Sequence, residues 1–387
     1  MDMGKKIGVF TWWDNANYGG FLQALATQEY LKKLGHQPEF IRLTDKFLYY
    51  RKGRKEWLKF VLYQILFGFP LQTCLRYLNT HQIISRLLNA SPFAFAHNNL
   101  KQKELARYDL LLCGSDQIWN PLYCKQGEYL LNDTPEEIPK ISYASSVAVK
   151  NIPLDLQQLY KNALPKFKAI SVREKAGADV LSVFFPKSIE WVVDPTLLLT
   201  AKEWKNILQI KEKKSDHIVV YLLSENVDTF LKLIPLVKHT RKKIHLYTEH
   251  SVRLKIPGGN KNWNCFIKNI KWCLFLLFSP RVKILKYASA KKFVTDICNA
   301  SMVLSDSFHA MMFSVIFEKN IKIFIPPERE NMKSRIKDFC EQTDGKNIVV
   351  TDFSGDVFDI PGSFSKEKME KWKQMSSEWL KLQLEES

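Results

Sequence analysis

Long apolar runs are missing from this 387-residue chain. A bilayer-spanning helix needs about 20 consecutive, mostly apolar residues, and the strongest runs here, at 65–71 and 272–278, are far shorter and flanked by Lys or Arg. No transmembrane helix is therefore predicted. Paired cysteines are missing as well: the seven, at 74, 113, 124, 265, 273, 298 and 340, form no CxxC and stand beside no spaced histidines. That excludes the common zinc motifs and a disulfide framework, and it fits a reducing compartment. The opening MDMGKKIGVF has too few apolar residues after its lysines for a signal-peptide core, so a cytoplasmic location is expected. The sequence also has no internal repeat and no low-complexity segment.

Negative charge is scarce too. Lys and Arg number 57 against 40 Asp and Glu, a formal charge of +17, which suits acidic substrates, anionic lipid surfaces or nucleic acid. The basic residues are scattered among strand-like and helix-like segments and no nucleic-acid motif is present, so no nucleic-acid partner is expected. Apolar residues, in contrast, make up 46% of the chain, enough for packed cores in two domains.

Short apolar runs that end in polar residues alternate with helical patterns. Residues 7–10 lead into an Asn/Gly loop, 110–113 end in GSDQIWNP, 141–143 in ASS, 169–172 in RE and 191–193 in DPT. Read as parallel strands, they place polar residues at their carboxyl ends, where an open α/β sheet binds its ligand. After AKEWKNIL the charged KEKKSD reads as a linker, and a second α/β unit begins with HIVVYLL at His217. It continues through KKIHLY, a strand at 302–304, a helix over about 307–317 and a strand at 321–325. The predicted division is 1–205 and 206–360, with 361–387 a helix that packs back across the domains through Trp372, Met375, Trp379 and Leu382. Stretches at about 47–100 and 265–293 break this rhythm and read as helical inserts in which aromatics mix with Lys and Arg. They suit the headgroup region of an anionic membrane, or an ordinary lid with snorkelling lysines.

Two stretches carry candidate chemistry. In FTWWDNANYGGFLQALATQEYLKKLGH, Asn17, Tyr18, Gly19 and Gly20 form an uncharged loop before a helix that Gly35 stops. Adjacent glycines bring main-chain N–H groups close to an anion or a sugar, or they serve a tight βα turn by geometry alone. In ASMVLSDSFHAMMFSVIFEKNIKIF, Ser305 is placed to cap, and Ser307, Phe308 and His309 fall in the first turn of an apolar helix. His309 then sits over free N–H groups, where an anion binds well and an imidazole can act as acid or base; the alternative is a packed or capping histidine.

NYGGFLQALATQEYLKKLG, GSDQIWNP, ISYASSV, SVREKAG, VVDPTLLL and DSFHAMMFSVIF, in that order, resemble the polysaccharide pyruvyl transferase family. The resemblance runs from residue 7 to about 340, apart from the two inserts. It implies an α/β fold of GT-B type, two Rossmann-like domains facing across a cleft, with helical inserts. The first would be the acceptor side and the second the donor side. It further implies transfer of an enolpyruvyl or ketal pyruvate unit from phosphoenolpyruvate to sugar hydroxyls of a cell-surface glycan, with phosphate released and no resident cofactor or metal. The acceptor would be the polysaccharide or a lipid-linked oligosaccharide precursor.

Carried over by motif, His309 is the family's catalytic histidine and Arg173 its arginine for the donor's carboxylate or phosphate. Ser307 stands where many members have Arg. A trianionic donor calls for charge-assisted bonds, and Arg329 in PPERENMKSRI is the expected second cation, Arg335 being read as part of a solvated face with Lys333 and Lys337. Ser305 and Ser307 complete the donor set. Asp116 is the candidate to orient or deprotonate the sugar, or else an Asx-type cap on the next turn. Trp119 is the expected stacking platform, with Ser115, Asn17, Tyr18, Gly19 and Gly20 on the acceptor. Two other classes fit the same pattern less fully: a GT-B glycosyltransferase using a nucleotide-sugar, and a non-enzymatic basic protein that binds polyanions. For an enzyme working on a lipid-linked glycan, peripheral contact with the inner face of the cytoplasmic membrane is a further expectation.

Overall fold

The computed structural model describes residues 4–14, 17–43, 79, 82–96, 99–100, 103–213, 215–224, 226–248, 263–285, 287–326, 331–351, 353 and 359–387. The chain divides into two units: Met1–Leu71 with His81–Leu199 and Glu367–Ser387, and Gln72–Thr80 with Thr200–Lys366.

The first unit is built on a seven-stranded sheet in the order β3-β2-β1-β4-β5-β6-β7. Its strands are β1 (Lys6–Phe10), β2 (Gln37–Leu43), β3 (Ala90–Phe95), β4 (Leu110–Cys113), β5 (Lys140–Ser145), β6 (Ala169–Val172) and β7 (Ile189–Trp191). The second carries β8 (His217–Leu222), β9 (Lys243–Thr248), β10 (Val282–Ile284), β11 (Met302–Ser305), β12 (Asn320–Phe324) and β13 (Val349–Val350) in the order β10-β9-β8-β11-β12-β13. Among the described residues every pairing between these strands is parallel. A parallel sheet needs helices on both faces, and β4, β5, β8 and β11 are accordingly buried along their whole length. Counted from its own first strand, each sheet begins 3-2-1-4-5-6, the Rossmann order, which reverses direction between strands 1 and 4. The chain is thus α/β with two Rossmann-like units, the pair of folds the GT-B expectation calls for.

Between β1 and β2 runs the helix Tyr18–Lys33, with Lys32 and Lys33 in its last turn and Gly35 leaving it at φ +88. The first unit packs its core around Phe10, Trp119, Tyr160 and Phe167, the second around Val220, Phe230, Leu304 and Trp272.

Three expectations about organisation are corrected. The stretch 47–100 contains β3, a strand of the first sheet, although most of the stretch lies outside the described residues. The stretch 265–293 is regular βαβ structure: the helix Trp263–Leu277 leads to β10, whose three residues are too few for a periodicity to be visible in sequence. The terminal helix Lys366–Glu385 belongs to the first unit, where Trp372 Nε1 donates to the Trp191 carbonyl at 3.1 Å and Val193 N donates to Ser376 Oγ at 3.0 Å. Its buried stripe is Met369, Trp372, Ser376, Leu380 and Leu384, while Met375 and Leu382 are exposed. Ser376 buries as a bonding group, which a stripe drawn from apolar residues alone passes over. Among the described residues no helix is long and apolar enough to cross a membrane.

Candidate active-site residues

In the first unit the switch lies between β1 and β4, and the carboxyl ends of β4 to β7 bring together Ser115, Asp116, Ser145, Ser146, Arg173, Glu174 and Asp194. Arg173 is the hub. Its Nη1 is 2.8 Å from Asp194 Oδ2, its Nη2 3.6 Å from Asp116 Oδ1 and its Nε 3.9 Å from Glu174 Oε1. Asp194 also accepts from Thr196 N and Oγ1, and Glu174 accepts from Ser146 Oγ. Burial works against the charge of the guanidinium, but Asp194, Asp116 and Glu174 outweigh it and raise its pKa, so it stays protonated.

The side chain of Arg173 is only 1% exposed. It is committed to carboxylates of its own unit, which corrects the expectation that it meets an anionic donor. Asp116 is the outermost of the three carboxylates, its side chain 10% exposed. With φ +74 it occupies a backbone region that Asp tolerates better than most residues, and its Oδ1 accepts from Gln117 N at 2.8 Å. That bond goes to the next residue, not two residues on as in an Asx-type cap, and it uses one oxygen; Oδ2 makes no hydrogen bond to a described residue.

The neighbouring expectations change more. Trp119 is fully buried, edge-on to Phe167 with centroids 5.4 Å apart, and its Nε1 donates to the Tyr129 carbonyl. It is core and cannot stack on a sugar. Ser115 donates its N–H to Gln23 Oε1 and its hydroxyl to the Ala144 carbonyl, and its carbonyl accepts from Thr11 Oγ1. These are all of its polar groups, so it too is structural. Gly19 and Gly20 lie inside the first helical turn, not in a loop, and their N–H groups donate to Asn17 Oδ1 at 2.7 and 3.3 Å. Asn17 is thus an N-cap that takes the donors a ligand would have used, and Tyr18 is buried at the helix start.

Gln23 was missed by sequence reasoning. Its Nε2 donates to Thr11 Oγ1, Trp12 O and Gly20 O, so this one buried amide ties the end of β1 and the start of the helix to the start of the β4 loop. A glutamine set among Phe21, Leu22, Ala24 and Leu25, all buried, is the signal that could have found it, since a buried amide must find partners.

In the second unit the switch lies between β8 and β11. Asp306, buried just past β11, accepts from Leu223 N at 2.6 Å and Ser224 N at 2.9 Å, clamping the loop that leaves β8. Ser305 donates to the Tyr221 carbonyl at 2.6 Å and accepts from Ser307 N at 3.0 Å. The helix Phe308–Ile316 follows, with Ser307 as an N-cap residue whose side chain makes no capping bond. The Ser307 N–H is taken by Ser305 Oγ, so what favours an anion at this start is the positive end of the helix dipole. His309 lies in that first turn, mostly buried, its ring edge-on to Phe308 at 5.8 Å.

Arg329 lies outside the described residues. Arg335 is 3% exposed, not on a solvated face. It stands four residues before Phe339 on the helix Asn331–Gln342, and Phe339 packs edge-on to Phe308. A Lys- and Arg-rich helix hides such a residue, because charge alone gives no sign of which side is covered.

Among the described residues one group has metal-ligand chemistry: His217, His245 and Asp296. His245 Nδ1 is 2.9 Å from Asp296 Oδ2, Tyr247 donates to that same oxygen, and Lys292 holds the other. His217 bonds Ser215 Oγ and the Asp296 carbonyl. The cluster starts at the amino end of β8, at the opposite edge of the sheet from Asp306.

The family described as polysaccharide pyruvyl transferase matches residues 17–320, which takes in both switch points. The chain belongs to this family. It is a transferase, and its family places it in polysaccharide biosynthesis with a glycan as acceptor. No curated protein sequence matches it. Among solved structures it is similar to the UDP-GlcNAc 2-epimerase of Methanocaldococcus jannaschii in complex with UDP-GlcNAc and UDP, with 14% identity, TM-score 0.46, and 96% of this chain and 92% of that one covered. A putative UDP-N-acetylglucosamine 2-epimerase from Listeria monocytogenes gives 9% identity, TM-score 0.49 and coverage of 96% and 91%. A glycosyltransferase from Rickettsia africae ESF-5 gives 12%, 0.49, and 97% and 93%.

Proposed function

We propose that the protein moves a pyruvyl group from phosphoenolpyruvate to hydroxyls of a polysaccharide or its lipid-linked precursor, forming a ketal and releasing phosphate. Family membership supports the reaction class. The observation that carries the donor assignment is the helix start at the second switch point, where the Ser307 side chain makes no cap and His309 stands in the first turn.

The chemistry sets the requirements. A proton added to the donor's methylene carbon makes a methyl group and leaves positive charge on the carbon that bears phosphate. A sugar hydroxyl adds there and gives up its proton. The carbon–oxygen bond to phosphate then breaks, phosphate leaving with the electron pair, and a second hydroxyl of the sugar closes the ketal as it loses its own proton. His309 is the proposed acid for the carbon and base for the hydroxyl. The Phe308–Ile316 helix start, with Ser307 and Arg329, is the proposed seat of the donor's anionic groups; the expected contact from Ser305 is dropped, because its buried hydroxyl is spent on Tyr221 and Ser307. Buried Arg335 is added to that set.

On the first unit Asp116 is the proposed acceptor contact, its outer oxygen taking a sugar hydroxyl. Arg173 is a positioning residue beneath it. Phosphoenolpyruvate should raise the melting temperature of the protein while a nucleotide-sugar does not, since only a ligand of the native state stabilises it. The reverse result would favour a nucleotide-sugar glycosyltransferase.

A further inference from the structure

We propose that the helix Trp263–Leu277 of the second unit rests on an anionic lipid surface. One side of this helix is anchored inside its unit: Trp272 is fully buried, 5.7 Å from the rings of both Phe230 and Phe275. The other side is apolar and open to solvent. Ile267, Ile270, Leu274 and Leu277, spaced by three, four and three residues, are 57%, 43%, 49% and 77% exposed, and Phe278 just past the helix is 82% exposed. Residues three and four apart share a helix face, so these side chains form one row. Single exposed apolar residues are ordinary, but a contiguous row of large ones marks an interaction surface.

Charge selects the occupant. From residue 250 to 295 the chain has ten Lys and Arg and no Asp or Glu. Lys271 beside the row and Lys283 on β10 are exposed, while Lys268 is occupied by Asp228 at 2.8 Å. An apolar row flanked by cations, whose neighbouring acid Asp228 is already paired with Lys268, is the pattern of a helix lying in the headgroup region, its side chains reaching the acyl boundary and its cations meeting lipid phosphates. An interface with another protein would not require the acids to be absent over so long a stretch. The inference does not depend on the donor or on the catalytic roles proposed above.

The test is co-sedimentation of the full chain with vesicles of phosphatidylcholine alone and of phosphatidylcholine with phosphatidylglycerol, at low and high salt. The protein is expected to partition onto the anionic vesicles at low salt and to be partly released by salt, with little bound to the neutral ones. The triple variant Leu274→Asn, Leu277→Ser, Phe278→Ser is expected to bind roughly tenfold less or weaker still, because the buried apolar area sets the affinity. Its turnover on a soluble acceptor should match the parent's. Lys271→Gln with Lys283→Gln should weaken binding to the anionic vesicles only. Equal binding of parent and triple variant, or no binding of the parent at low salt, overturns the proposal. So does a concentration-dependent dimer of the parent that the triple variant abolishes without any vesicle binding, which would assign the row to a second copy of the chain.

Discussion

Arg173 Nη2 stands 3.6 Å from Asp116 Oδ1, and the same guanidinium grips Asp194 from below at 2.8 Å. The pair joins a residue sealed in the core to one at the sheet edge. Removing the cation would leave three carboxylates clustered where water hardly reaches. Breaking a buried ion pair from one side costs about 3–5 kcal/mol, so Arg173→Met should lower the unfolding free energy by about that much in a urea titration. A loss below about 1 kcal/mol would mean that water compensates the carboxylates.

Asp116→Asn tests the upper partner separately. Asn also tolerates positive φ and can still accept from Gln117 N, and Arg173 keeps Asp194 and Glu174 as counter-charges, so the urea midpoint should fall much less than in Arg173→Met. Activity should nevertheless fall by roughly two orders of magnitude if the carboxylate receives the sugar hydroxyl. Full activity in this variant would leave Asp116 with its structural contacts to Arg173 and Gln117 N alone.

For His309, the change to Gln keeps a polar side chain of similar reach. Turnover should drop by roughly two to four orders of magnitude while the thermal shift given by phosphoenolpyruvate persists. Loss of that shift together with turnover would place His309 in donor binding instead of proton transfer.

Asp306 is expected to matter through the backbone it holds. Asp306→Ala would strip the Leu223 and Ser224 N–H groups of their acceptor, at about 1–3 kcal/mol for each donor left buried. Hydrogen exchange at residues 223 and 224 should accelerate more than in the body of β8. Uniform acceleration along the strand would mean global destabilisation only.

The His217 cluster should shape the acid side of the stability curve. Burial, then the charge of His245, lowers the pKa of His217 below its ordinary value. The unfolded chain therefore takes up a proton at about pH 6.5, before the folded chain does. Stability is fully present above that value and falls as the pH drops toward the lowered one. Asp296 works in the same direction further down: bonds from His245, Lys292 and Tyr247 overcome its burial and hold its pKa at about 2, so its contribution is lost only as pH falls from about 3.9 toward that value. His217→Gln should flatten the first limb and leave the second, as read by urea unfolding across pH.

Much of this architecture was legible because a parallel strand advertises its carboxyl end: GSDQ, ASS, SVRE and DPT all fell where β4 to β7 stop. Residue 309 in the first turn of its helix was equally readable from SDSFHAMM. What the sequence could not tell was which polar residues point out. Arg173, Asp116 and Asp194 are brought together by four adjacent strands, so their mutual pairing is invisible in any local window. Trp119 looks like a sugar platform until Phe167 is known to lie against it. Gly19 and Gly20 suggested an open loop because Asn17, which caps them, also reads as a loop residue.

The central claim is pyruvyl transfer to a glycan. The most direct measurement follows inorganic phosphate released from phosphoenolpyruvate in the presence of a panel of synthetic or lipid-linked glycosides, with the glycoside weighed by mass spectrometry. The account predicts phosphate release that requires the glycoside, matched by a mass gain of one pyruvate less water, both slowed in parallel in His309→Gln. Glycosides modified only when a nucleotide-sugar is supplied, with phosphoenolpyruvate left intact, would contradict it.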